Sequence, residues 1–299
     1  MFLIFLQMKD QKIINDFLEY WDNILNQWIQ TGTIPDSESH WKNEELVSPK
    51  FSKLILQRIM PGPYLGNPYN CSTVILSYNP GSKPYNLETK EGKEKYFEDE
   101  EHHSQISNPT KMAYKYAHNP RWRTADDAFQ NLHPDGKKWW KKHLDWIKEI
   151  VPESSNNPFS IELCPWHSYK WQNLKYNKKL LNTLSTRLSS VIEETIRKSD
   201  LGIGFCIGAQ WGDKVLPAFG YKDVTAEVMG LDNYKRGWKP SPEKYRNFRI
   251  MRNGNGFYII NTWLSKGFKL MREPVKESLP IQLEMIKKIR SHSKEFTSK

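Results

Sequence analysis

Cysteine is scarce. The 299-residue chain has three, Cys71, Cys164 and Cys206, far apart and each beside or inside an apolar run. That number and spacing exclude a disulfide framework and fit no zinc or iron–sulfur ligand pattern, so three buried thiols are expected. Long apolar runs are missing as well: nothing approaches the ~20 residues that span a bilayer. The opening Met1-Phe2-Leu3-Ile4-Phe5-Leu6 has no basic stretch before it and is short for a secretory signal. Together these lacks predict a cytoplasmic protein with no membrane partner. A dinucleotide fingerprint is also absent, because Gly202, Gly204 and Gly208 lie inside a strand-like run rather than in a turn opening a helix. A nicotinamide dehydrogenase is thereby disfavoured. The one dense group of metal-type side chains, Glu98 to His103, has no second cluster at ligand spacing and reads as a solvated acidic loop. No metal or redox cofactor is expected.

What the chain has is aromatics and positive charge. It carries 12 Trp, 14 Tyr and 13 Phe, and a net charge of +10. The charge is uneven: residues 1–162 hold 19 Lys/Arg against 22 Asp/Glu, whereas residues 163–299 hold 25 against 12. A balance of −3 followed by +13 favours a polyanionic partner for the second half. Its densest part, residues 235–252, has seven bases (Lys235, Arg236, Lys239, Lys244, Arg246, Arg249, Arg252) and one acid, Glu243. A solvated loop explains such a run equally.

Periodicity predicts the elements. Over residues 9–30, Ile13, Phe17, Tyr20, Ile24 and Trp28 recur at spacings of three or four, the pattern of an amphipathic helix. Residues 53–60 read as a strand, and residues 73–76 as a buried one. Residues 136–151 and 176–198 read as helices, the second with Leu180, Leu184, Leu188 and Val191 along its buried side. Residues 158–167 read as a further strand and its tip, 201–208 as another strand, and 209–219 as a short helix. Residues 249–263, with Asn253-Gly254-Asn255-Gly256 between two apolar runs, predict a hairpin ending on a last strand, and residues 280–296 a C-terminal helix. Strands alternating with helices predict an α/β fold, a three-layer α/β/α arrangement about a central, mostly parallel sheet of about four strands. The expected organisation is a helical extension over 1–69, an α/β domain over 70–275 with an inserted segment at 82–150, and the C-terminal helix from 276 to 299.

Two strand ends carry chemistry. The first predicted strand stops at Tyr78-Asn79-Pro80-Gly81, where Pro80 fixes φ and Gly81 lets the backbone come close to a ligand. The second stops at Glu162-Leu163-Cys164-Pro165-Trp166. Open α/β sheets place ligands at such C-terminal strand ends.

In order on successive strands, these two motifs resemble the uracil-DNA glycosylase superfamily, most of all its single-strand-selective monofunctional branch. That branch has an Asn-Pro-Gly water-positioning motif and, much later, an Asn-Leu-Cys-Pro strand end. The resemblance covers roughly residues 70–275 and implies a glycosylase-like fold with DNA, single- or double-stranded, as partner. No obligate protein partner is implied. Asn79 would hold the attacking water, with Tyr78, Pro80 and Gly81 shaping the pocket. Tyr85 would stack on the base, or is a loop aromatic packed on the surface. Trp166 and His167 would line the pocket, although a lone His is as well a hydrogen-bonded structural residue.

Two departures redirect the expectation. Glu162 stands where the relatives have a base-reading Asn. An ionised carboxylate only accepts hydrogen bonds, and accepting is what the amino group of cytosine requires. At ~1–3 kcal/mol per well-made base contact, preference should move from uracil to an amino pyrimidine. A raised pKa would let Glu162 donate as well and protonate a cytosine-type leaving group. The second departure is at the late strand end, where relatives carry His-Pro-Ser and this chain reads Asn261-Thr262-Trp263. Asn261 is a weaker substitute for the imidazole, or Glu162 and His167 take over its work, or the protein is inactive. A wedge into DNA would come from residues 263–272, with Lys266, Lys269 and Arg272 near phosphates beside Trp263, unless these form a solvated basic loop. The expected activity is a monofunctional glycosylase excising a cytosine-derived, phage-type hypermodified base, in anti-phage defence or base-excision repair. The rivals are an inactive DNA-binding member, a uracil-excising repair enzyme and an unrelated small-molecule hydrolase.

Overall fold

A computed structural model describes residues 2–31, 33–47, 62–78, 149–150, 158–166, 177–231, 248–262 and 273–297. Helix α1 (Phe2–Thr31) leads through a 3-10 turn (Asp36–Trp41) to strands β1 (Tyr64–Leu65), β2 (Val74–Ser77) and β3 (Phe159–Glu162). Helix α2 (Lys178–Lys198) and β4 (Ile203–Ile207) follow, then a π-helical turn (Trp211–Val215) running into α3 (Leu216–Ala218). The chain ends with β5 (Lys222–Asp223), α4 (Thr225–Met229), β6 (Phe248–Arg252), β7 (Tyr258–Thr262) and α5 (Glu273–Thr297). The strands form a seven-stranded sheet in the order β1-β3-β2-β4-β7-β6-β5.

Its middle follows the expectation and its edges do not. The Phe159 and Leu163 amides donate to the carbonyls of Thr73 and Ser77, so β3 runs parallel to β2. Strand β2 is parallel to β4, and β4 to β7. The outer pairings, β1 with β3, β7 with β6 and β6 with β5, are antiparallel. The sheet is therefore mixed, of α/β class, and not the mostly parallel sheet of about four strands that the sequence predicts. The reason is local. β1 and β5 are two residues long and leave no periodic trace, while a hairpin necessarily adds its partner antiparallel. That hairpin forms as expected: Asn253 Oδ1 accepts from the amides of Asn255 (3.1 Å) and Phe257 (2.9 Å), and Gly256 supplies the positive φ of 83°.

The elements group into two compact units drawn from non-contiguous stretches, one from Met1–Asn67, Ser77–Arg123 and Ser160–Val191, the other from Pro68–Leu76, Thr124–Phe159 and Ile192–Lys299. In the first, α1 buries Ile14, Phe17, Leu18, Trp21, Ile24, Leu25 and Trp28. That is the i, i+3, i+4, i+7 stripe of a core-facing helix. It lies about one residue round from the sequence reading, since Ile13 and Tyr20 sit at its edge, half-buried. Phe17 meets Tyr64 of β1 with ring centroids 5.6 Å apart. In the second unit, α2 closes so tightly on β4 that a β-carbon at Gly204 would lie 2.9 Å from Ile196 Cδ1. Gly204 thus serves close helix–strand approach. The predicted buried side of α2 is the observed one, from Leu180 to Ile196. Helix α5 begins at Glu273, seven residues before its predicted start, and carries Pro280 inside. All three cysteines are buried thiols. The predicted strand at 53–60 lies outside the described residues, as does most of the predicted helix at 136–151. Among the described residues no helix is long and apolar enough to cross a membrane.

Candidate active site

The two strand ends singled out by the sequence are one piece of structure. Past the last residue of β3, the Leu163 amide donates to the Ser77 carbonyl at 2.9 Å and the Cys164 amide to the Tyr78 carbonyl at 2.7 Å. On the other side of β3, the Glu162 amide donates to the Pro63 carbonyl (3.0 Å) and the Gly62 amide to the Pro165 carbonyl (2.8 Å). The end of β3 is held from both flanks, and Pro165, lacking an N–H, cannot extend the ladder. Tyr78, half-buried, is the last described residue before Asn79.

Glu162 closes β3 with its carboxyl turned inward. Part of the residue still meets solvent, but Oε2 is sealed from it and has no hydrogen-bond partner among the described residues. An unpaired carboxylate out of water is costly, so the proton is retained. Burial pushes the Glu162 pKa up to about 8, from an ordinary 4.5. The site therefore offers a carboxylic acid, one donor and one acceptor, at neutral pH.

Its neighbours are less versatile. Cys164 is fully buried, its thiol directed to the Trp166 carbonyl at 3.7 Å. Burial holds that thiol well above the usual range, so it is no nucleophile. Trp166 is fully buried too, which leaves its indole no open face for a base to stack on.

Asn261, in the other unit, belongs to a different polar cluster. It lies on β7 opposite Cys206 of β4 and Arg249 of β6, one row across three strands. Its Nδ2 donates to the carbonyls of Gly208 (2.9 Å) and Cys206 (3.3 Å). Both donor hydrogens are spent inside the sheet, and the side chain is fully buried. This corrects the reading of Asn261 as a stand-in for the imidazole: what remains is an acceptor, Oδ1. Arg249, which the sequence counts among the bases available to a polyanion, is also buried and pairs with Asp213 at 2.6 Å. Arg252 is shared between Glu227 (3.3 Å) and the Tyr258 hydroxyl (3.4 Å). Two of the seven bases of residues 235–252 are therefore engaged within the fold.

A buried ion pair in the first unit escaped the sequence reading altogether. Glu38, with no exposed surface, accepts from the Tyr20 hydroxyl, from Arg187 and from Trp41 Nε1 (3.0 Å). The Arg187 guanidinium also lies over the rings of Tyr20 and Trp21, 5.3 and 5.2 Å from their centroids. Nothing in residues 36–41 distinguishes such an acid from a surface one.

Asn79, Pro80, Gly81, Tyr85, His167, Trp263, Lys266, Lys269 and Arg272 lie outside the described residues, as do residues 98–103. Among the described residues no group of His, Cys, Asp and Glu side chains is placed to hold a metal ion. No protein-family model, curated protein or solved structure matches the chain.

Proposed function

We propose that this protein is a monofunctional DNA glycosylase of the uracil-DNA glycosylase type, with the three-layer fold that type implies, acting on a modified cytosine. The observation that carries the reading is the joining of the two strand ends. Asn79 follows directly on a residue hydrogen-bonded to Cys164, two positions past the buried carboxyl of Glu162. Base excision needs a water held at the sugar and a polar group reading the flipped base in a space shielded from solvent. An amide at one strand end and an acid at the next suit those two tasks. The basic second half suits the phosphate backbone, and release of hypermodified phage bases or of damaged bases is the role the chemistry suits.

The test is mass spectrometry of bases released from oligonucleotides carrying uracil, cytosine and a range of C5-substituted cytosines. Release of a substituted cytosine, abolished in Asn79→Ala while DNA binding persists, is the expected result. One observation favours a second reading, that of a DNA-binding protein without catalysis: Asn261 cannot donate to a departing base. DNA binding that weakens steeply with salt, with no base released in single-turnover experiments, would establish that second reading.

A further inference from the structure

We infer that Glu162, in its carboxylic acid form, is the general acid of base release, pairing through its C=O with the amino group and through its O–H with N3 of a flipped amino pyrimidine. The inference rests on the glycosylase reading and adds to it the route by which the base leaves.

A cytosine-type base leaves poorly as an anion, because it has one ring carbonyl to take up the charge where uracil has two. Something must donate to it. Asn261 has no hydrogen left to give, since Nδ2 is spent on Gly208 and Cys206. The described strand ends leave Glu162. Its Oε2 is buried and has no hydrogen-bond partner among the described residues, so that oxygen is neither open to bulk water nor tied to any of them. A protonated carboxyl has one O–H and one carbonyl oxygen side by side on the same carbon. The amino group and N3 of cytosine, both bonded to C4, present the complementary donor and acceptor side by side, so both contacts form at once.

The surroundings keep the acid intact. Among the described residues, the titratable groups around the end of β3 are Cys164, two residues on, Tyr64, which flanks Ile161 on β1, and Tyr78 on the β2 side. The Cys164 thiol is held protonated by its own burial. Glu38 and Arg187 act on Cys164 as a mutually neutralising pair. Burial is the one influence that moves Glu162, and it favours the acid.

The step balances. The C1′–N1 bond breaks and its electron pair passes into the ring, while the Glu162 proton moves to N3, so the base departs neutral. Water adds to C1′ and gives a proton to solvent, leaving an abasic sugar and a carboxylate that is reprotonated before the next turnover. Substituents at C5 leave the amino–N3 edge free, whereas two alkyl groups on the amino nitrogen block it. The substrate class is therefore cytosines altered at C5.

Glu162→Gln separates pairing from proton transfer, because the amide accepts and donates in the same places but has no acid proton. With oligonucleotides carrying 5-hydroxymethylcytosine and bulkier C5 ethers of it, DNA binding of the variant should stay within about twofold. Single-turnover release should fall by about 10²–10⁴-fold, the usual span for general acid catalysis. The wild-type rate should drop tenfold per pH unit once the acid has titrated, and the residual rate of the variant should not. Equal rates with the same pH profile in both proteins would overturn this inference and leave the glycosylase reading standing. No base released by the wild type from any of these DNAs would overturn both.

Discussion

Gly212 sits directly against Asn261. A β-carbon on Gly212 would collide with Asn261 Oδ1 and lie 2.9 Å from Arg249 Nη1. The π-helical turn can pack on the β4–β7–β6 row because its second residue has no side chain. Neither polar group can yield, since Asn261 is bonded to two carbonyls and Arg249 to Asp213. Gly212→Ala should therefore lose about 1–3 kcal/mol, the usual range for overpacking a filled site. The check is the urea midpoint, with Gly254→Ala as control. Gly254 faces open space in the hairpin turn, so its variant should stay within about 0.5 kcal/mol of wild type.

The Arg249–Asp213 pair gives a second prediction. The Arg249 side chain is 5% exposed and that of Asp213 32%. Removing the acid would strand a buried guanidinium, a loss of about 3–5 kcal/mol when both partners are buried. Because the Asp213 carboxyl is partly hydrated, Asp213→Asn should fall at the lower end of that range in equilibrium denaturation. Lys12 and Asp16 form a pair of similar length with side chains 70% and 56% exposed. Lys12→Ala should change stability by less than about 1 kcal/mol.

Glu38 joins α1, the 3-10 turn and α2 through Tyr20, Trp41 and Arg187. Glu38→Ala should cost about 3–5 kcal/mol, because it leaves Arg187 facing a buried, unpaired gap. Replacing both charges, Glu38→Met with Arg187→Met, should recover a large part of the loss, since no unpaired charge then remains. The measurement is thermal and urea unfolding of the two variants beside wild type. A double variant no more stable than the single one would show that the hydrogen bonds to Tyr20 and Trp41, rather than the charge pair, hold these elements.

The sequence was most legible where burial is one-sided or complete. The stripe of α2 and the apolar runs of β2, β3, β4 and β7 appear where periodicity and β-branched residues place them. The Asn253 to Gly256 turn was readable because its residues have one good use, accepting backbone amides and adopting positive φ. Short edge strands were not readable, since two residues carry no period. Pro280 hid the first two turns of α5, because proline inside a helix is normally a stop. At the candidate site, the adjacency of the two strand ends was implied by motif order, but the internal use of Asn261 was not. An Asn at a strand end looks the same whether it faces a ligand or bonds two carbonyls of the neighbouring strand. Glu38 and Arg249 show the same limit: sequence distinguishes charged residues from apolar ones, but pairing inside the fold is decided by partners far along the chain.

The carboxyl of Glu162 should leave a mark on stability that is independent of any substrate. Unfolded, it ionises near its ordinary 4.5, whereas folded it keeps its proton up to about 8. Between those values the unfolded chain has released a proton that the native protein still holds. Stability contributed by this group is then full below pH 4.5 and is lost as pH rises to about 8, with no further change above. The limiting slope is about 1.4 kcal/mol per pH unit. Glu162→Gln cannot ionise and lacks this dependence. Subtracting the wild-type unfolding free energy from that of the variant, by urea titration from pH 5 to pH 9, should give a difference that rises in favour of the variant and levels off near pH 8. Curves that stay parallel across the range would mean that Glu162 is ionised and solvated in the native protein, and the acid at the end of β3 would be lost from the site.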